Sequence, residues 1–134
     1  MKLTLLLDTH ILVWWRAEPK RLSKLQASTL AAIDKKGAKV AISAITLWEL
    51  AKLVELGRRR INVPLDAWLE EIEDHPGIEV LPITARVVAE STRLGEEFHR
   101  DPADQLIVAT ARCHGLRLVT SDERIRAWGR VPLV

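Results

Sequence analysis

Apolar and polar positions follow a regular order along the chain. Short, mostly apolar runs are separated by stretches with apolar residues three and four apart. The short runs are Leu3–Leu7, Val40–Ser43, Ile78–Ile83 and Leu116–Thr120, and they suit strands buried on both faces. Between them the spacing predicts helices from Asp8-Thr9 to about Ala17, from Ser23 to Lys36, from Thr46 to Leu56 and from Pro64 to Asp74. A long helix is expected from Thr84 to Phe98, and another from Asp101-Pro102 to the stop at Gly115. Asp122–Trp128 reads as a short last helix and Val131–Val134 as a short last strand. Strands alternating with helices imply βαβ units around a parallel sheet, with right-handed crossovers placing helices on both faces. The expected fold is α/β: a single three-layer α/β/α domain over residues 1–134, with a parallel sheet of four or five strands.

Composition narrows the class. The 134 residues are 48% hydrophobic and 28% charged, with one cysteine, Cys113. Such a chain buries a core without disulfides. Its longest apolar runs, such as Ile11–Trp15, are far shorter than a membrane span. Lys2 followed by Leu3–Leu7 resembles the start of a secretion signal, but Asp8 interrupts it and no small-residue cleavage site follows. A cytoplasmic protein with no membrane partner is expected. The net charge of +2 hides an asymmetry, because all seven lysines precede Glu55 and the acids concentrate in the second half. A basic first half suits a polyanion partner.

The candidate chemistry lies in acids at strand ends. Asp8 directly follows the first strand, Asp122 follows the fourth by two residues, and Glu49 lies six residues past the second. Asp101 and Asp104 open the helix that leads into the fourth strand. In an open parallel sheet the carboxyl ends of the strands share one edge, where ligands bind. These scattered acids therefore converge if the fold is right. Crowded carboxylates raise each other's pKa unless a cation joins them. Oxygen ligands favour Mg²⁺ or Mn²⁺, and the four histidines lack the spacing of a zinc site. A cation held by carboxylates suits phosphodiester hydrolysis. Each acid also has a local reason for its place: Asp8, Asp101 and Asp122 can cap helices, and Thr46-x-x-Glu49 has capping-box spacing. An acid set hard against an apolar strand is costly unless it is paired or put to use.

These residues carry a resemblance. The segments Leu5-Leu6-Leu7-Asp8-Thr9-His10, Ile42-Ser43-Ala44-Ile45-Thr46-Leu47-Trp48-Glu49, His99-Arg100-Asp101-Pro102-Ala103-Asp104 through Ala111, and Leu118-Val119-Thr120-Ser121-Asp122 occur in that order over nearly the whole chain. In this the sequence resembles PIN-domain proteins, specifically VapC-type toxin ribonucleases. The resemblance implies a Mg²⁺- or Mn²⁺-dependent endoribonuclease inhibited by a cognate antitoxin and commonly paired as a homodimer. It implies Asp8, Glu49, Asp104 and Asp122 as the acidic quartet. Asp101 matches an additional acid of part of the family, while Thr9, Ser43, Thr120 and Ser121 fall where hydroxyls orient the acids or a bound water. Gln105 stands where the family often has an arginine, so a salt bridge to the third acid is expected to be missing.

The remaining residues read more plainly. Lys52, three residues after Glu49, and Arg58, Arg59 and Arg60 at the end of the same helix are candidate RNA-phosphate contacts. Arg16, Lys20 and Arg21 form a second basic edge. Trp14 and Trp48 are expected in the core, and Trp15 and Trp68 at a partner surface. The apolar surplus on the third and fourth helices, including Leu50, Trp68 and Ile72, would under the resemblance form a groove for an antitoxin segment. His99 is expected on the surface, with an outer position beside the acids as its alternative, and His10, His75, His114 and Cys113 carry no assigned role. Two other classes fit less well. An aspartyl-phosphate enzyme or receiver lacks its acid pattern, since Asp8-Thr9-His10 is not Asp-x-Asp and no acceptor Asp follows the third strand. A non-catalytic PIN-fold RNA- or protein-binding module has no need of the complete quartet.

Overall fold

A computed structural model describes residues 2–134. In chain order the elements are β1 (Leu5–Leu7), α1 (Thr9–Ala17), α2 (Lys24–Lys35), β2 (Val40–Ser43), α3 (Ala44–Glu55), α4 (Leu65–Glu73), β3 (Ile78–Leu81), α5 (Ala85–Ser91), α6 (Pro102–His114), β4 (Arg117–Val119) and α7 (Glu123–Trp128), with a 3₁₀ turn at Pro19–Arg21. The four strands form one parallel sheet in the order β3-β2-β1-β4. Leu6 of β1 faces Ala41 on one side and Leu118 on the other. The chain builds outward from β1 to β3 and then returns to the opposite side of β1. The reversal of strand order therefore falls at β1, whose carboxyl end carries Asp8.

Strand alternation divides the core. Leu5 and Leu7 point to one face of β1 and Leu6 to the other, as the period of two requires. On the first face, Leu5, Leu7, Val40, Ile42 and Val119 pack against Ile11, Leu12, Leu30 and Leu50 from α1, α2 and α3, with Trp68 and Ile72 of α4 behind them. On the second, Leu6, Ala41 and Leu118 pack against Ile107, Val108 and Ala111 of α6 and Ile125 of α7. Leu6, Ile107 and Ile125 are fully buried. Each such side chain contributes about 1.5–3 kcal/mol over an exposed one. The expected three-layer arrangement is the one observed.

Three local readings change. The long helix expected from Thr84 to Phe98 ends at Ser91. Ser91 and Thr92 donate their hydroxyls back to the Val88 and Ala89 carbonyls, and Gly95 turns the backbone at φ +92°. Leu94 and Phe98 are thereby dropped into the second core face. At α3, the helix begins two residues earlier than expected: Ser43 is the cap, accepting the Ile45 N–H at 3.2 Å. Thr46 and Glu49 thus lie inside the helix and form no capping box. The tail Val131–Val134 makes a single parallel bridge, Leu133 to Leu118, rather than a strand.

Candidate active site

The N-termini of α1, α6 and α7 bring acids to one edge of the sheet, and α3 adds Glu49 from its second turn. The Asp8 N–H continues the β1/β4 pairing to the Val119 carbonyl at 3.0 Å, which sets the residue at the strand reversal. Its Oδ1 accepts the Thr9 N–H at 2.8 Å, and its Oδ2 accepts the Thr120 hydroxyl at 2.7 Å. Both oxygens are thus anchored on a side chain only 5% exposed. Thr120 Oγ1 also accepts the Asp122 N–H at 3.0 Å, tying the first acid to the last. Asp122 caps α7 by accepting the Arg124 and Ile125 N–H groups. Asp101 caps α6 through the N–H groups of Ala103 and Asp104. Asp104 itself is buried in the first turn of α6. The capping roles are therefore real, and they aim the acids rather than use them up.

Glu49 reaches the same place from α3. Its Oε1 accepts the Thr9 hydroxyl, and Thr9 Oγ1 lies 3.0 Å from the fully buried Thr46 Oγ1. With its proton given to Glu49, Thr9 can only accept from Thr46, so a relay of hydroxyls holds the carboxylate. Asp8, Thr9, His10, Glu49, Leu53, Asp104 and Asp122 line one open cleft of about 220 Å³.

The electrostatics are those of a crowded anion cluster. Burial, together with the charges of Asp8, Asp104 and Asp101, outweighs the Thr9 hydrogen bond and pushes the Glu49 carboxyl up to about 7. Asp104 is raised by burial and by Asp8 and Asp101, against the opposing hydrogen bond from His99. At Asp122 burial acts upward too, but the Arg124 guanidinium and the capping N–H groups prevail and hold its carboxyl below the usual range. Divergent protonation among neighbouring acids characterises functional sites. The donors fit a hard divalent cation. His99 Nε2 and one oxygen each of Asp104 and Asp122 lie within 4.8 Å of one another, and Asp8 and Glu49 border the same space.

Several expected roles change. His99 is not a surface residue: its side chain is 15% exposed, its Nε2 sits 2.6 Å from Asp104 Oδ2, and its ring stacks on buried Phe98 at 4.5 Å. His10 joins the network too, accepting the Ser121 N–H at 2.9 Å, with its Nδ1 3.7 Å from Asp8. The salt bridge that Gln105 cannot make is supplied from elsewhere, since Arg124 Nη2 lies 3.6 Å from Asp104 and 3.3 Å from Asp122. Ser43 caps α3, and the Ser121 hydroxyl accepts from Gln26 Nε2, so neither side chain meets the acids. Lys52 pairs with Glu55 at 2.8 Å and Arg59 with Glu18 at 3.3 Å. Trp48 is 55% exposed, so it is not a core residue, and it carries the Lys52 ammonium 5.5 Å above its ring.

A second hollow, of about 180 Å³, lies on the first core face between α1 and α4. It is lined by Leu12, Val13, Leu50, Trp68, Ile72 and Ile78, with Arg16, Arg59, Glu71 and His75 also bordering it. Among the described residues no helix is long and apolar enough to cross a membrane.

The comparisons with known proteins agree with this architecture. A chain of the Rickettsia felis VapBC2 complex bound to a promoter DNA fragment superposes with a TM-score of 0.71 at 19% identity, covering 98% of this chain and 97% of that one. FitAcB of Neisseria gonorrhoeae gives 0.67 at 23% identity, covering 97% and 96%. At those identities the likeness is one of fold. The PIN domain family matches residues 5–131. Ribonuclease VapC22 of Mycobacterium tuberculosis is 41% identical over 124 residues, which is 92% of this chain and 91% of that protein. The chain belongs to the PIN-domain family, in its VapC ribonuclease group.

Proposed function

We propose that this protein is a Mg²⁺- or Mn²⁺-dependent endoribonuclease, the toxin of a toxin–antitoxin pair, acting in the cytoplasm on RNA. The observation that carries the reading is the convergence of Asp8, Glu49, Asp104 and Asp122 on one cleft at the reversal of strand order. These four would hold the ion. A bound divalent cation supplies an activated water and neutralises charge developing on a phosphoryl oxygen.

The protein's own part is positioning. Thr120 fixes Asp8 and Asp122 relative to each other through one hydroxyl. The Thr46–Thr9–Glu49 relay holds Glu49 against the repulsion of its neighbours. His99 orients Asp104 through its contact with Oδ2, since ligating carboxylates are themselves held by hydrogen bonds. Asp101 sets the start of α6 and adds negative charge to the cleft. No side chain acts as a covalent nucleophile.

RNA would approach along the basic end of α3, where Arg58 and Arg60 are exposed and Lys52 and Arg59 are only partly committed to their acidic neighbours. Such contacts would weaken with salt. The apolar hollow between α1 and α4 would receive the antitoxin, and the protein would work as a homodimer. The mixture of apolar lining and bordering charges suits an amphipathic segment.

The test is cleavage of a panel of structured RNAs by purified, antitoxin-free protein in Mg²⁺, Mn²⁺ and EDTA. Discrete cuts in either metal and none in EDTA are expected. Equal cutting in EDTA would refute the metal assignment.

A further inference from the structure

We infer that Arg124 serves the ion-free protein as an internal counter-cation that a divalent metal displaces, and that the freed guanidinium then binds a phosphate of the RNA. The inference deepens the reading of the cleft as a metal-dependent ribonuclease and rests on it.

One guanidinium nitrogen of Arg124, Nη2, lies 3.3 Å from Asp122 Oδ2 and 3.6 Å from Asp104 Oδ2. These two acids are the ones whose oxygens, with His99, come within 4.8 Å of a common set. Arg124 therefore spans the carboxylates that the ion needs. Among the described residues no other lysine or arginine forms an ion pair with the cleft acids. Lys52 is taken by Glu55, Arg59 by Glu18, Arg112 by Glu90 and Arg130 by Glu97. Arg126, two residues on, turns its Nη1 to the Thr120 and Val134 carbonyls.

The hold is built to yield. The Arg124 side chain is 61% exposed, and exposed pairs are weak. A divalent ion brings twice the charge and binds the oxygens directly, so a guanidinium and an ion compete for the same two carboxylates. The side chain is rooted in the first turn of α7, beside the Asp122 cap, so displacement leaves it at the mouth of the cleft. Its planar fork of donors matches a phosphate bidentately. The same charge would thus stabilise the empty cluster and then the bound substrate, without facing the ion at close range.

Calorimetric Mn²⁺ titration of the RNA-free protein separates this from a plain surface role. Removing one competing charge in Arg124→Ala should tighten Mn²⁺ binding by about fivefold after allowance for solvent screening. Arg124→Lys keeps the charge and should bind Mn²⁺ within about twofold of the wild type. In Ca²⁺, binding of a fluorescent single-stranded oligoribonucleotide to Arg124→Ala should show a log–log salt slope shallower by about 0.7, the value for one phosphate no longer neutralised. Unchanged or weaker Mn²⁺ binding in Arg124→Ala overturns the displacement. An unchanged salt slope overturns the role in holding phosphate. A wild-type protein that binds no Mn²⁺ at all refutes the metal reading itself, and this inference with it.

Discussion

Glu49 and Leu50 are neighbours on α3, yet they open onto different hollows. Glu49 faces the carboxylate cleft of about 220 Å³, and Leu50 lines the apolar hollow of about 180 Å³ between α1 and α4. Helix α1 is shared in the same way. Its first residues, Thr9 and His10, belong to the cleft, and Leu12, Val13 and Arg16 belong to the hollow. The cleft gathers charge where helix N-termini meet strand ends, because N–H groups there can hold carboxylates that burial would otherwise neutralise. The hollow lies along helix flanks, where no free N–H groups are available, and its lining is apolar with charge around it. The two regions are less than one helix apart and separable by single residues. An occupant of the hollow therefore bears on the helices that carry Thr9 and Glu49.

The sharpest way to break the comparison is at Trp68, which lines the hollow and packs on the first core face but does not line the cleft. Trp68→Ala is expected to weaken cognate antitoxin binding by about thirtyfold or more, as loss of a central aromatic anchor does. RNA cleavage by the free toxin, compared at a temperature where the variant is folded, should stay within about twofold, since Trp68 does not line the acidic cleft. A variant in which cleavage falls with antitoxin affinity would show that the regions do not act separately. The second prediction concerns the cleft alone. Thr120→Val removes a hydroxyl that both donates to Asp8 and accepts from the Asp122 N–H. It should cost about 1–3 kcal/mol in urea unfolding, the cost of unpaired buried groups. Cleavage should fall by at least about tenfold through misplacement of both acids. Stability close to that of the wild type would contradict the bridging role.

The third prediction is a pH dependence opposite in sign to that of the hollow, where burial and Arg16 lower the pKa of His75. The Glu49 carboxyl is raised from 4.5 to about 7 in the folded protein, so the folded state binds that proton more tightly than the unfolded chain. Metal-free stability from this group is therefore full below about pH 4.5 and is lost as pH rises through about 7. Thermal melts in EDTA should show this decline, Glu49→Gln should flatten it, and Mn²⁺ should reverse it. A slope unaffected by Glu49→Gln would place the strain elsewhere. The smallest effect belongs to the basic edge. Lys52→Ala should leave stability within about 0.5 kcal/mol, because its pair with Glu55 is exposed, and should reduce RNA affinity by about twofold.

Much of this is legible in the amino-acid order. Asp8, Asp104 and Asp122 can be placed from sequence because a polar acid beside a wholly apolar strand, or at a helix start, has few positions open to it. The strands and the parallel sheet follow from apolar runs too short for anything else. The helix after β3 reads as too long because apolar spacing continues through Leu94 and Phe98, whereas the backward hydrogen bonds of Ser91 and Thr92 and the turn at Gly95 end it. Thr46 and Glu49 read as a cap pair, but Ser43, three residues earlier, competes for the same role and prevails. His10 and Arg124 escape the sequence pattern for a different reason. Their partners lie across the fold or beyond the cap, and no local spacing signals a side chain that turns toward a distant acid. His99-Arg100-Asp101 holds one usable sign, since a histidine just before the cap of a buried acidic turn lies within reach of it. Trp48 shares an apolar stripe with the partly buried Ala44 and Ile45, yet its ring is exposed and lines a separate hollow with Ile83 and Leu106.

The central claim is that the converging acids form one hydrolytic centre. The most direct test is Asp8→Asn, assayed for RNA cleavage in Mn²⁺ beside the wild type, with folding checked by circular dichroism and melting. Both Asp8 oxygens are anchored by hydrogen-bond donors, and an amide of the same shape keeps one acceptor. The variant should fold and lose cleavage by at least about a hundredfold, as expected when a charged group of a catalytic centre is neutralised. A folded Asp8→Asn protein that cuts RNA at the wild-type rate would contradict the account.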